Sequence, residues 1–378
     1  MKKRNLLLFV CLWLVGGLYA EDKLSKEQAI AVKQELVDQW KASVRERYQQ
    51  TWSDKCVRID TLKMPFWVKI YGEKPKDGYS LYISLHGGGT VPAAANDQQY
   101  ENQKRLYAPK NSVYLVPRAP YNMWNMWCRP MLDQFYEALI QMAIVFEDVN
   151  PDKVYIMGYS AGGDGVWRMA PRMADTWAAA SMMAGHPGDV SLLNLRNTPF
   201  MIWCGADDAA YDRNKLDAQR GVQMDSLQQA DPEGYIHETH IVKGMGHWMQ
   251  RVDTVAVDWM AQYQRNPYPK KIVWKQEEVR RPSFYWVTIP KREMLPGKTI
   301  RLSVEGNVIN ITQCDYKQVT LNLNDELVNL DEKVTVKYRG KKLFKGKLKR
   351  LRATLETTLK ERNDPRYVFP AQVKLNMK

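Results

Sequence analysis

Apolar positions follow two different periods along this chain. Up to about residue 266, short continuous runs of strand length alternate with segments of helical spacing. The strand-like runs are Leu81 to Leu85, Val113 to Val116, Val154 to Met157, Ala180 to Met183, Phe200 to Cys204 and Thr239 to Val242, with Val57 to Tyr71 before them. Met131 to Val145 is one of the helical segments between them. Continuous apolar strands separated by helices predict a mostly parallel sheet covered on both faces, an α/β architecture. Ahead of it, Ser25 to Gln50 predicts one amphipathic helix. Ser25 and Gln28 fit a capping box, and Leu36, Trp40, Val44 and Tyr48 recur every four residues on one face.

Past Asn266-Pro267-Tyr268-Pro269 the helical period stops. Ser283 to Thr288, Thr299 to Val304, Val308 to Thr312, Val319 to Leu323 and Val334 to Tyr338 are short alternating runs, separated by turn residues such as Pro296-Gly297 and Arg339-Gly340-Lys341. They predict a smaller C-terminal all-β domain, closed by a helix over Ala353 to Glu361 and a strand over Ala371 to Leu375. The chain therefore divides into an N-terminal helix at 21–52, an α/β domain at 53–266 and a β-rich domain at 270–378.

Composition changes this picture in three places. The first twenty residues, Met1-Lys2-Lys3-Arg4, an apolar stretch from Leu6 to Leu18 and then Ala20, read as a secretory signal peptide at 1–20, which points to a secreted or periplasmic protein. Residues from Lys270 onward carry 25 Lys and Arg against 12 Asp and Glu, the whole net charge of +13, so the α/β part is neutral overall. The densest basic run, Lys341, Lys342, Lys345, Lys347, Lys349, Arg350 and Arg352, reads as a solvated face or as a strip for an acidic surface or glycan. Nucleic acid is a poor candidate, because no nucleic-acid-binding motif is present. Cys56, Cys128, Cys204 and Cys314 are too widely spaced to form a disulfide framework, so at most one bridge is expected.

The chemistry centres on Gly158-Tyr159-Ser160-Ala161-Gly162, between a strand-like run and a helix-like segment. A serine on such a turn is held exposed at the top of a sheet, as a nucleophile. Upstream, a strand-like run ends in His86-Gly87-Gly88-Gly89-Thr90, whose glycines leave backbone N–H groups free to face a ligand. Downstream, Asp207 and Asp208 follow one buried run, and His247 lies in Gly244-Met245-Gly246-His247-Trp248 after another. The order is Ser, Asp, His. Serine needs a base to take its proton, and the base needs an acid to fix its tautomer. His86, His186, His237, His240 and His247 show no metal-ligand spacing, so neither a metal nor a cofactor is expected. His237 and His240 fall on opposite faces of one predicted strand and read as structural.

Over residues 57–263 the chain resembles the α/β-hydrolase family, most closely secreted esterases of the polyhydroxybutyrate-depolymerase and feruloyl-esterase type. The resemblance implies the α/β-hydrolase fold and a catalytic triad of Ser160, Asp208 and His247, with Asp208 preferred to Asp207 by the family's Gly-x-x-Asp pattern. It also implies an oxyanion hole formed by the N–H groups of Gly88, Gly89 and Ala161. The implied activity is cleavage of carboxylic esters through an acyl-enzyme, with polysaccharide-linked or polymeric esters as substrates.

Trp124 and Trp127, on the loop after Val113 to Val116, read as substrate contacts, as do Trp248 beside the base and His186 after the run at Ala180. The competing reading of the tryptophans is loop packing. Two other activities stay open. A prolyl-oligopeptidase-like peptidase would use the same attack, but no large extra N-terminal domain is present. A surface-binding protein on a silent hydrolase fold would rely on the basic domain.

Overall fold

Ser25 begins the first helix as its sequence predicts. Its hydroxyl accepts from the Gln28 N–H at 3.2 Å, and the Gln28 side chain accepts from the Ser25 N–H at 2.8 Å. The computed structural model describes residues 23–377, so the signal-peptide segment lies outside the described residues. Helix α1 (Lys26–Asp54) runs four residues past the expected end and stops where Lys55 turns left-handed, at φ 53°. Leu36, Trp40 and Val44 are buried on its inner face.

The main sheet has eight strands: β1 (Cys56–Ile59), β2 (Leu62–Tyr71), β3 (Tyr79–Leu85), β4 (Ser112–Pro117), β5 (Val149–Tyr159), β6 (Ala179–Met183), β7 (Phe200–Gly205) and β8 (His237–Val242). Their spatial order is β1-β2-β4-β3-β5-β6-β7-β8. β1, β2 and β4 pair antiparallel in succession, and every pairing from β4 through β8 is parallel. Helices α2 (Ala93–Gln103), α3 (Leu132–Phe146), α4 (Ala161–Arg172), α5 (Arg213–Ala230) and α6 (Val255–Met260) connect and cover the strands.

Strand periodicity sorts the core into two layers. Leu81, Ile83, Leu85, Val154, Ile156, Phe200 and Ile202 pack with α3 and α4 on one face. Tyr82, Tyr114, Tyr155, Met157 and Trp203 pack with α6 on the other. Since β3 to β8 are parallel, the loops after β3, β5, β7 and β8 all emerge at one edge, where open α/β sheets place their ligands.

The C-terminal part forms two further sheets from β9 (Lys271–Lys275), β10 (Ser283–Phe284), β11 (Val287–Thr288), β12 (Thr299–Glu305), β13 (Val308–Cys314), β14 (Gln318–Leu323), β15 (Val334–Tyr338), β16 (Lys341–Gly346) and β17 (Ala371–Asn376). One sheet runs β16-β15-β13-β12-β9 and the other β10-β11-β14-β17. A second apolar core that includes Trp274, Phe284, Trp286, Ile300, Leu321 and Val336 packs the module. The single strand expected over Ser283 to Thr288 is instead a hairpin, because Tyr285 turns left-handed at φ 51°. β9 and β16 carry no clear alternation in sequence; β16 is a lysine-rich edge strand, a placement that discourages edge-to-edge pairing.

Helix α7 (Arg352–Arg362) belongs to the body as much as to the module, since its Leu355 and Leu359 join the core containing α1 and α3. Ion pairs complete the seam. Arg265 bonds Asp152 at 3.0 Å and Asp364 at 2.7 Å, and Arg281 bonds Asp133 at 2.8 Å and Glu137 at 2.9 Å. Arg362 pairs with the buried Asp175. The basic run is thinner than its sequence suggests. Arg350 is buried between Asp325 and Asp331, and Arg352 pairs with Glu35 and Glu356, which leaves the lysines as the exposed strip. Cys56, Cys128, Cys204 and Cys314 are all unpaired. Among the described residues no helix is long and apolar enough to cross a membrane.

Candidate active site

Ser160 sits between β5 and α4 at φ 57° and ψ −122°, a backbone conformation that non-glycine residues seldom adopt. The turn closes because its neighbours lack side chains. A Cβ on Gly162 would fall 2.1 Å from the Leu85 carbonyl oxygen, and one on Gly158 would fall 2.5 Å from the Gly162 carbonyl oxygen. Strand, turn and helix therefore approach within backbone contact, and the serine projects at the sheet edge.

The loops after β7 and β8 bring the other two groups to it. The Ser160 hydroxyl lies 2.9 Å from His247 Nε2, and His247 Nδ1 lies 2.7 Å from Asp208 Oδ2. With the Nδ1 proton donated to Asp208, Nε2 is free to accept the serine proton. Asp208 is buried while Asp207 is exposed, so the structure brings Asp208 and not its neighbour to the imidazole. Arg213 approaches the other Asp208 oxygen at 3.7 Å.

Tyr159, which carries no sequence signal of its own, holds the loop that bears His247. Its hydroxyl donates to the His247 carbonyl at 2.7 Å and accepts from the Met249 N–H at 3.0 Å. It occupies the variable position just before the serine, where no spacing rule distinguishes it.

The loop after β3 is set by two buried side chains. His86 Nδ1 lies 2.6 Å from the Gly87 carbonyl, and its Nε2 accepts from the Ala119 N–H at 3.1 Å, which assigns the proton to Nδ1. Burial pushes its pKa down to about 3, so this ring is neutral and shapes the loop. Asn96, fully buried on α2, accepts from the Gly89 N–H at 3.0 Å and donates to the Gly89 carbonyl at 3.1 Å. That bond corrects the expected donor set: the Gly89 amide is occupied by Asn96, and Gly88 and Ala161 remain as the candidate oxyanion donors. Gly88 takes φ 111°, and a Cβ there would fall 2.0 Å from Asn96 Oδ1. The clamp that holds the loop thus requires glycine at that position.

The four expected substrate contacts divide. Trp124 and Trp248 are 60% and 50% exposed beside the site, and Trp248 packs its ring on Tyr159 at 5.5 Å. Trp127 is fully buried and donates from Nε1 to the His86 carbonyl at 2.9 Å, which corrects its assignment: it supports the loop after β3 and has no face for substrate. His186 is half-buried; its N–H donates to Asp164 at 2.6 Å, and its Nδ1 accepts from the Gly188 N–H at 3.1 Å. Burial lowers its pKa. His237 bonds the Tyr235 carbonyl, and His240 stacks on Trp203 at 4.1 Å, so both serve the sheet. Among the described residues no cluster of His, Cys, Asp and Glu is arranged to hold a metal ion.

No family model and no curated protein matches the chain. Among solved structures it is similar to a thermostable esterase at 17% identity and a TM-score of 0.42, covering 56% of this chain and 62% of that one. It is also similar to an acetyl xylan esterase from Aspergillus awamori, at 12% identity and a TM-score of 0.38, over 52% of this chain and 94% of that one. A ferulic acid esterase aligns at 18% identity and a TM-score of 0.39, over 55% of this chain and 96% of that one. The chain thus spans less than two thirds of the thermostable esterase's length. A mostly parallel eight-stranded sheet, with a strained serine after β5, an acid after β7 and a histidine after β8, gives this chain the α/β-hydrolase fold.

Proposed function

We propose that this protein is a serine hydrolase that cleaves carboxylic esters outside the cytoplasm. One observation carries the reading: the unbroken line from the Ser160 hydroxyl through His247 to the buried Asp208, with the serine held at positive φ. In the reaction, Ser160 Oγ attacks the ester carbonyl while its proton passes to His247 Nε2. The oxygen that becomes negative is met by the N–H groups of Gly88 and Ala161, an interaction of about 2.7–4 kcal/mol per donor. His247 then returns the proton to the leaving alcohol, which leaves an acyl group on Ser160. Water, activated by the same imidazole, releases the acid and restores the serine.

The exposed tryptophans flanking the serine favour an ester carried on a ring or polymer over a bare short-chain ester. The signal-peptide reading of residues 1–20 supports export. The test is hydrolysis of p-nitrophenyl esters, from acetyl to octanoyl, by the mature protein and by Ser160→Ala. Activity in the parent and none in the variant supports the reading. A folded parent inactive on every ester, but active on peptide amides, replaces it with the peptidase.

A further inference from the structure

A cleft of about 650 Å³ lies along the seam, with Trp124 at its end nearest the candidate active site. Its body wall carries Trp124, Arg129 and Arg168, and its other wall is the segment 277–280 between β9 and β10, ending in Arg280. Trp124 joins the cleft to the loop after β3, since a Cβ on Gly89 would lie 3.7 Å from Trp124 Cα and 3.8 Å from the Ala161 Cβ. Along α4, Arg168 is about 12 Å from Ser160 at the helical rise per residue. A short-chain ester cannot span that distance; an oligomer can.

The lining is mixed in polarity and in charge. Arg172 also reaches the cleft but is neutralised by Asp133 at 2.7 Å. Among the described residues Arg129, Arg168 and Arg280 have no carboxylate partner. Arg129 lies over Tyr121, and Arg168 lies over the exposed Trp124 with its guanidinium carbon 5.6 Å from the ring centroid. The same cleft carries the exposed Asp189 and Glu278, and Glu277, which is held in place by the Ser191 N–H at 3.2 Å. Guanidinium forks match carboxylates, exposed carboxylates accept from hydroxyls, and an indole face takes the apolar face of a ring. A sugar chain bearing carboxylates presents all three.

We propose that this cleft is a subsite for the alcohol side of the substrate, which holds a uronate-bearing oligosaccharide with one ring on Trp124 and a carboxylate among Arg129, Arg168 and Arg280. The proposal extends the esterase reading, but binding at the cleft does not depend on turnover. The experiment is calorimetric titration of full-length mature Ser160→Ala with an oligogalacturonate, beside a neutral xylo-oligosaccharide of equal length. The oligogalacturonate is expected to bind, with the neutral sugar at least about tenfold weaker; adding Arg280→Ala or Arg129→Ala should weaken uronate binding about tenfold each. Equal binding of the two sugars overturns the acidic assignment. Binding lost on Lys342→Ala plus Lys345→Ala, and kept on Arg280→Ala, moves the site to the lysine strip of β16 and overturns the proposal. An active parent whose serine variant binds no oligogalacturonate removes the cleft and leaves the esterase; an inactive parent whose variant still binds removes the esterase and leaves the cleft.

Discussion

At the C-terminal edge of the main sheet, Ser160, Asp208 and His247 are placed by backbone: a left-handed turn, glycines too close to neighbouring strands for a Cβ, and loops pinned by Asn96 and Tyr159. At the seam, Arg265, Arg281 and Arg362 are placed by long side chains reaching carboxylates far away in sequence. The first arrangement leaves a half-exposed imidazole beside the serine hydroxyl, as the proposed hydrolysis would need. The second pairs its charges with one another across the seam. Polar groups in the first are held as the proposed chemistry requires, and those in the second hold two layers together.

If that division is right, substitutions at the two places should fail in different ways. Ser160→Ala is expected to lower kcat by about 10⁶ with the unfolding midpoint unchanged, a loss of the size seen when a triad serine is removed. A fall in stability of similar rank would break the comparison. Arg265→Ala should do the opposite. It leaves Asp152 and Asp364 without their shared cation in a buried setting, at a cost of about 3–5 kcal/mol in urea unfolding. The surviving folded fraction should keep its specific activity.

Asn96→Ala tests whether the clamp belongs to the first arrangement. Freeing the Gly89 amide and loosening the loop should reduce kcat by about 10²-fold with a smaller change in KM, because a shift of the donors is felt mainly in the transition state. A rise in KM alone would assign Asn96 to binding.

The smallest effect expected is at Asp217, a fully buried carboxyl on α5 that accepts from Trp167 Nε1 at 3.1 Å. Burial pushes its pKa up to about 8. The folded state therefore binds this proton more tightly than the unfolded chain, whose carboxyl titrates near its ordinary value. The stabilising contribution is complete below that ordinary value and is lost as pH rises through about 8. Asp217→Asn keeps an acceptor for Trp167 and removes the titration. The variant's Tm relative to the parent should rise between about pH 5 and about pH 9, by a few degrees. A constant difference across that range would show that Asp217 does not titrate within it.

What could be read in the sequence follows the same division. The capping box at Ser25, the apolar runs of β3 to β8 and the glycine-flanked serine and histidine are local patterns, and backbone geometry follows local pattern closely. Trp127 shows where that stops: it shares a loop and a residue type with Trp124, yet one supports His86 from the core and the other faces solvent, a difference decided by packing against α4. Asn96 reaches Gly89 from a helix with no marked motif, and the Arg265 contacts join residues about a hundred positions apart. No spacing rule connects such pairs. The pair of short strands at Ser283 to Thr288 was hidden because a turn with Tyr285 at positive φ lacks the usual glycine or asparagine.

The central claim is that Ser160 is an activated nucleophile, and covalent labelling tests it most directly. The mature protein, treated with diethyl p-nitrophenyl phosphate and examined by intact-mass and peptide mass spectrometry, should gain one diethylphosphoryl group on Ser160, with release of p-nitrophenol. The same treatment should leave Ser160→Ala unmodified and His247→Ala nearly so. A folded parent that takes no label, or takes it elsewhere with Ser160 bare, would contradict the account.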